Sequence, residues 1–330
     1  MALLVLSASG ARAATPLQYF TGAGDKANAI VPLTWAVTIV SVVVILLIAA
    51  LVAGAVWRRP GIALQEPGTR FVVGKEEGGT NWIWIGVGLS SVVLLASVVW
   101  TMAVLAQVNS PAGKTGVTIE VTGRQWWWQV RYLSNDPARI FTTANEIHIP
   151  TGVPVRVKLI GGDVIHSFWV PALTGKTDTI PGQTNETWME ASAPGTYYGQ
   201  CTEYCGIEHA HMAFRVIAQS PADFWAWWAH QLQSPAQVSG MAANGVSAFT
   251  VHCASCHAVR GTDAAGILGP DLSHLMTRST IASGIEPNDP AHLAALIADP
   301  QHVKPGILMQ KPELSPDEFA AIRAYLATLN

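Results

Sequence analysis

The chain changes its hydrophobic rhythm three times. Residues 30–57, "IVPLTWAVTIVSVVVILLIAALVAGAVW", and 82–108, "WIWIGVGLSSVVLLASVVWTMAVLAQV", are apolar almost throughout and carry no charge. Each exceeds the roughly 20 residues that a helix needs to cross a bilayer, so both are predicted as transmembrane helices. Their length disfavours the alternative of two buried helices in a soluble core. Trp57, Trp82 and Trp84 fall near their ends, where amphipathic rings prefer the membrane interface. The loop between them holds Arg58, Arg59, Arg70 and Lys75. By the positive-inside rule that loop is cytoplasmic, which puts the large C-terminal region on the extracytoplasmic, periplasmic side of a bacterial-type inner membrane. Ahead of the first span, "MALLVLSASGARAATP" pairs an apolar run with a small-residue site and reads as an exported leader cleaved near Ala13, although a basic n-region is missing.

From Gly116 to Gln219 the rhythm shortens to β-rich runs punctuated by Gly and Pro: "VTIEVTG", "WWWQVRY", "NEIHIP", "VPVRVKLI", "ETWMEA" and "MAFRVIA". Strands at this spacing predict a β-sandwich or small barrel. The aromatic stretch "SPADFWAWWAHQ" can be helical and runs into a Ser/Pro/Gln linker near 234–239. Beyond it the period becomes helical in "GMAANGVSAFTVHCASCHAV", "DPAHLAALIADP" and "SPDEFAAIRAYLATLN". In the last, Ser315, Pro316 and Glu318 predict a capping box with proline at the first helical position.

Composition agrees with a membrane part joined to a watery one. Hydrophobic residues make up 50% and charged residues 12% of the 330 residues, and mean hydropathy is +0.30. The 19 basic and 22 acidic residues leave a net charge of -3, which gives no electrostatic footprint for nucleic acid. Four cysteines lie in the extracytoplasmic part, where a thiol persists only if bonded, metal-bound or modified.

Two of the four form "CASCH", Cys253 to His257. C-x-x-C-H reads as c-type haem attachment: Cys253 and Cys256 bind the vinyl groups and His257 presents imidazole to the iron. The rival thioredoxin-like pair belongs in a βαβ context, and a disulfide or zinc half-site is the plainer reading. A methionine thioether would supply the second axial ligand, and Met309 in "KPGILMQ" is preferred. Met276 in "LSHLMTRS" sits in a predicted helix, where methionine is more often core packing. The segment "GPDLSH" resembles that of small cytochromes c whose proline carbonyl fixes the proximal imidazole, which implies that Pro270 orients His257.

The other two cysteines belong to "YYGQCTEYCGIEHAHM". A disulfide between Cys201 and Cys205 would leave His209 and Met212 without a role. Zinc gains nothing from methionine, and iron–sulfur clusters generally take four thiolates. Thiolate, imidazole and a weak axial thioether together suit copper, on the loop where cupredoxin sandwiches carry it. A further ligand is available upstream at His166, in "GGDVIHSFWVPAL".

The segments "DVIHSFWVP", "KTDTIPGQ", "GTYYGQCTEYCGIEHAHM" and "GRQWWW", after two spans, resemble subunit II of the haem–copper cytochrome c oxidases over about residues 30–217. The "CASCH" domain resembles the fused cytochrome c of caa3-type oxidases. The resemblance implies a dinuclear copper-A centre. Cys201 and Cys205 would bridge two coppers, His166 and His209 would each bind one, and Met212 and the Glu203 carbonyl would be weak ligands. It also implies that the Glu203 carboxylate helps hold magnesium at the subunit I contact, and that Trp126 receives electrons from cytochrome c. A buried aromatic cluster is the alternative for Trp127 and Trp128, since neighbours on a strand face opposite ways. Glu76 and Glu77 in "KEEGGTNW" are displaced from the family's proton-pathway glutamate and inherit no role. His211 has no ligand counterpart, and Glu208 is a bystander.

The expected architecture is multi-domain: a two-helix transmembrane hairpin, an all-β cupredoxin-like sandwich and an all-α cytochrome c domain. Its segments are a leader and N-terminal segment (1–29), the hairpin with its loop (30–108), the copper-A domain (109–220), a linker (221–239) and the cytochrome c domain (240–330). The implied function is the electron-input subunit of a terminal respiratory oxidase. Electrons from a cytochrome c-type donor pass through haem c and copper-A to subunit I, which reduces oxygen and pumps protons, with subunit III and membrane lipid as further partners. The spans contain no histidine, so the oxygen site belongs to another subunit. A copper-A nitric oxide reductase subunit is the alternative, and a membrane-anchored, disulfide-stabilised copper-binding or delivery protein is the rival of another class.

Overall fold

The computed structural model describes residues 17–58, 79–111 and 113–330. The cleavage site near Ala13, the loop cations Arg59, Arg70 and Lys75, and Glu76 and Glu77 lie outside the described residues. The chain divides into two compact units, residues 29–109 and the remainder.

The smaller unit is built on helix α1 (Asp25–Trp57) and helix α2 (Gly79–Val108). The first begins several residues before the apolar run, with Asp25 in its first turn, where a carboxylate complements the positive end of the helix dipole. Both helices are apolar on every face, and both are long and apolar enough to cross a membrane. Several of their hydroxyls are satisfied within the helix: Thr38, Ser41, Ser90, Ser97 and Thr101 each donate to the carbonyl four residues earlier. That is what an apolar solvent demands of a polar group.

The larger unit contains a sandwich of ten strands: β1 (Val117–Arg124), β2 (Trp127–Leu133), β3 (Phe141–Ala144), β4 (Glu146–Pro150), β5 (Val155–Gly161), β6 (His166–Trp169), β7 (Thr177–Thr179), β8 (Thr184–Met189), β9 (Gly195–Cys201) and β10 (Ala213–Gln219). They form two five-stranded sheets, ordered β3-β2-β1-β5-β8 and β4-β10-β9-β6-β7. Burial alternates along the strands, most regularly in β10, where Phe214, Val216 and Ala218 point inward. At the centre the Trp128 ring meets Phe168 and Phe214 edge-on, with centroids 5.8 and 5.4 Å away, and the His166 ring at 6.0 Å. Aromatic packing at these distances ties the core directly to one candidate ligand.

The segment expected to link the domains is only partly a linker. Pro221–Gln231 forms α3, capped by the Ser220 hydroxyl, and its Phe224 and Trp228 join the sandwich core. Tyr132 and Phe141 meet the Trp228 ring edge-on, so the aromatic run serves packing. Only the stretch after α3 connects to the helical domain.

That domain comprises α4 (Met241–His252), α5 (Pro290–Ala298), the short α6 (Pro300–Val303) and α7 (Pro316–Leu326). Helices α4 and α7 approach so closely that a Cβ at Gly245 would stand 2.1 Å from the Ala321 carbonyl oxygen. Phe249, Ile322, Tyr325 and Leu326 fill the core beside them. The helix expected around Met276 is a single 3-10 turn, Leu275–Thr277, ended by the extended backbone of Arg278. The capping box on α7 is present: the Glu318 amide donates to Ser315 Oγ at 3.3 Å, and the Ser315 amide donates to the Glu318 carboxylate at 2.9 Å. Ser315→Ala therefore lowers the stability of the helical domain by about 1 kcal/mol, measured by guanidinium unfolding followed by circular dichroism, whereas an exposed serine without a capping role would leave the midpoint unchanged.

Candidate metal centres

Strand pairing assembles the first centre. Cys201 ends β9 and lies opposite Phe168 of β6, two residues from His166. The chain then turns through residues 202–212 and re-enters the sheet as β10, a turn closed by the Cys201 amide donating to the Met212 carbonyl at 3.0 Å. Gly206, at φ +119°, lets this loop pass the Trp126 ring, where a Cβ would stand 2.8 Å from Cζ2. The Cys205 carbonyl accepts from Trp126 Nε1 at 2.9 Å and from Gln125 Nε2 at 2.7 Å, which pins the loop from outside.

The donor atoms converge. The Sγ atoms of Cys201 and Cys205 are 3.8 Å apart, His166 Nδ1 is 4.0 Å from Cys201 Sγ, and His209 Nδ1 is 3.5 Å from Cys205 Sγ. Met212 Sδ lies 3.9 Å from Cys205 Sγ, and the Glu203 carbonyl oxygen 3.3 Å from Cys201 Sγ. A disulfide requires sulfurs about 2.05 Å apart, so both cysteines stand free. His166, Cys201 and Cys205 are buried with ligand atoms within 4.8 Å of one another. Two thiols, two imidazoles, a thioether and a carbonyl around one small volume fit copper, because soft sulfur and imidazole donors select it. The sulfurs hydrogen-bond each other, which lowers the Cys201 pKa below the ordinary thiol range and raises that of Cys205. A bound cation would take the place of that shared proton.

An orienting group that the sequence reading passed over is Asp163. Its carboxylate accepts from His166 Nε2 at 2.7 Å and from the Gln125 and Val164 amides, both at 2.6 Å. Burial alone would raise its pKa, but these bonds hold it below the usual carboxylate range. The bond to Nε2 leaves His166 Nδ1 turned to the sulfurs, the arrangement by which carboxylates set the tautomer of metal-binding histidines. The signal was present in the sequence as an acid three residues before His166. His211 lies outside the donor cluster and bonds to the buried Glu208 carboxylate at 2.7 Å, so Glu208 is a structural group and not a free surface charge.

The second centre forms where α4 ends. Cys253 caps the helix, and the Cys256 and His257 amides both donate to its carbonyl, which sets the two thiols and the imidazole on one turn. His257 Nδ1 donates to the Pro270 carbonyl at 2.8 Å, and burial lowers the pKa of the ring, so it is neutral with Nε2 as its lone-pair nitrogen. A Cβ at Gly269 would stand 2.6 Å from His257 Cε1, so this position admits only glycine beside the ring. Ile267, Leu268 and Leu308 are exposed apolar side chains in the flanking segments, suited to a porphyrin face. Met276 packs against the helical core, whereas Met309 lies outside that core, half-buried. Trp126 is 7% exposed and Trp128 is fully buried, whereas Trp127 between them is half-buried.

A sulfur–imidazole cluster in a cupredoxin-like sandwich, joined to a C-x-x-C-H helical domain and two apolar helices, fits a membrane-anchored electron-carrying subunit with sites for copper and haem. Residues 132–219 match the family described as "Cytochrome C oxidase subunit II, periplasmic domain", and residues 242–330 match "Cytochrome c". Cytochrome c oxidase subunit 2 of Alkalihalophilus pseudofirmus is 36% identical over 275 residues, which cover 80% of this chain and 78% of that protein. The same subunit of Bacillus sp. strain PS3 is 31% identical over 265 residues, covering 75% and 73%. The crystal structure of the periplasmic domain of subunit II from Bradyrhizobium japonicum cytochrome oxidase is 34% identical and covers 37% of this chain and 96% of its own, with a TM-score of 0.33. The chain belongs to the cytochrome c oxidase subunit 2 family, with a cytochrome c domain fused behind the copper domain, and is thus a subunit of an oxidoreductase.

Asp163→Asn removes the charge that orients His166. Copper affinity should fall about 10- to 100-fold, read by competition with a chromogenic chelator, while circular dichroism stays unchanged.

Proposed function

We propose that this subunit passes electrons from an external cytochrome c-type donor to haem c, then to copper-A, and from there to subunit I for reduction of oxygen to water coupled to proton pumping. When bound, haem c and the copper pair each take up and release one electron at a time. The observation that carries this reading is the convergence of both sulfurs, both imidazoles, the thioether and the Glu203 carbonyl on one volume. Within it, Cys201 and Cys205 would hold both coppers, His166 and His209 would each hold one, and Met212 and the Glu203 carbonyl would bind weakly. Short, stiff connections through β6, β9 and β10 keep the donors in place, so little rearranges as charge changes. The exposed Glu203 side chain points this loop toward a hard cation such as magnesium at the subunit I contact.

In the helical domain, Cys253 and Cys256 would carry the haem, and His257, kept neutral by burial and oriented by its bond to the Pro270 carbonyl, would be one ligand to its iron. Met309 is the other, and its place outside the helical core supports this over Met276. Trp126 receives the electron on the copper side, since its indole N–H bonds the Cys205 carbonyl. The large unit lies on the extracytoplasmic side of the inner membrane, with subunit III and lipid as further neighbours. A nitric oxide reductase subunit would share both centres. A disulfide-stabilised copper-delivery protein would close Cys201 to Cys205, against the separation of 3.8 Å.

Visible and near-infrared spectra of the purified chain should contain a c-type α-band and a mixed-valence copper band; loss of either removes the corresponding centre. Oxygen turnover with no nitric oxide turnover in the co-purified complex separates the two oxidoreductase readings. Met309→Ala should lower the haem potential while Met276→Ala leaves it unchanged, and the opposite pattern reverses the axial assignment.

A further inference from the structure

Several contacts seat the helical domain on the sandwich, and one backbone group takes two of them. The Trp126 carbonyl accepts two hydrogen bonds from the helical domain, one from Ser283 Oγ and one from Lys304 Nζ, both at 2.7 Å. Lys304 also donates to the His211 carbonyl at 2.8 Å and to the Ala282 carbonyl at 3.2 Å. An ammonium group has three N–H donors, and here each finds a carbonyl. Two belong to the sandwich, one to the strand turn before β2 and one to the copper loop beside Met212, and the third belongs to the helical domain. The side chain is 2% exposed. Burial pulls its pKa down to about 7, opposed by the nearby Glu208 and Cys205.

A buried charge is costly unless it is fully paired, and an apolar residue would fill the same seam more simply. What a lysine adds is direction: three bonds at once fix both the distance and the orientation of the two surfaces. Other contacts repeat the arrangement around it. The Ala213 amide donates to the Ser283 carbonyl at 3.2 Å, and the Ser279 amide donates to the Glu146 carboxylate at 2.7 Å. Ile307, three residues beyond Lys304, packs against the sandwich core. Met309 follows two residues later on the same segment, and Trp126 in turn bonds the Cys205 carbonyl.

We propose that Lys304 is a positioning residue, a latch that holds the haem domain on Trp126 and thereby sets the geometry of transfer from haem c to copper-A. The inference rests on the functional reading above. The step it controls moves one electron from reduced haem c to oxidised copper-A, with no bond made or broken. With the latch released, the domain stays tethered through the stretch after α3 but samples many orientations, so the productive one is occupied for less of the time.

The test compares full-length wild-type protein, loaded with both centres, with Lys304→Met, which keeps the length and removes the donors. Amide exchange at Ala213 and Ser279, both bonded across the seam, should speed up at least tenfold. Transfer from photoreduced haem c to copper-A should slow at least tenfold, with the α-band and the copper band unchanged. Ser283→Ala, which removes one of the two bonds to the Trp126 carbonyl, should shift both readouts in the same direction by about threefold and stands in if Lys304→Met does not fold. Wild-type transfer in a folded Lys304→Met chain, or wild-type exchange and transfer in Ser283→Ala, overturns the latch. The exchange measurement uses neither metal spectrum. Loss of a band in the wild-type protein therefore removes the functional reading, while the seam is still judged by exchange.

Discussion

The structure depends on bringing two thiols to 3.8 Å without letting them join. That separation is imposed from outside the pair. Cys201 is fixed at the end of β9 by pairing with β6, and Cys205 is held in its loop by two donors on its carbonyl, from Gln125 and Trp126. His166 reaches the sulfurs from the neighbouring strand, with Asp163 behind it. A cluster of this kind is uncomfortable when empty, because buried donors of like character compete for one proton. The sandwich supplies the rigidity that keeps it open for a soft cation.

Trp126 links this cluster to the second domain through two different groups on one residue. Its indole N–H faces the copper loop, and its main-chain carbonyl faces Lys304 and Ser283. Trp126 itself is covered, at 7% exposure. The same burial explains why Glu208 and Lys304, ordinary surface charges by residue type, lie inside: each is next to the seam or the loop, and each has hydrogen-bond partners there.

The chemistry-bearing residues were legible because their spacing is local. C-x-x-C-H lies on one turn, and C-x-E-x-C-x-x-x-H-x-x-M lies on one hairpin loop, so chain geometry alone keeps the donors near one another. The two long apolar helices were legible because length and apolarity are read directly from composition. The capping box at Ser315 belongs to the same class. Residues 221–231 were misread as linker because their partners, Tyr132 and Phe141, are strands away. The turn at Met276 was misread as a helix for a similar reason. Its backbone is tied to the chain terminus, with the Met276 amide donating to Leu329.

By itself the sequence determined the two long apolar helices, the β-rich and helical halves and nearly all the candidate ligands, since these follow from periodicity and short-range spacing. Only the tertiary structure decided that Asp163 stands behind His166, that α3 belongs to the sandwich core, and that Lys304 meets Trp126. These contacts join segments many residues apart, and a lysine in a "VKPG" stretch carries no mark of burial. Whether its charge faces water or three carbonyls depends on which surface the fold lays against it.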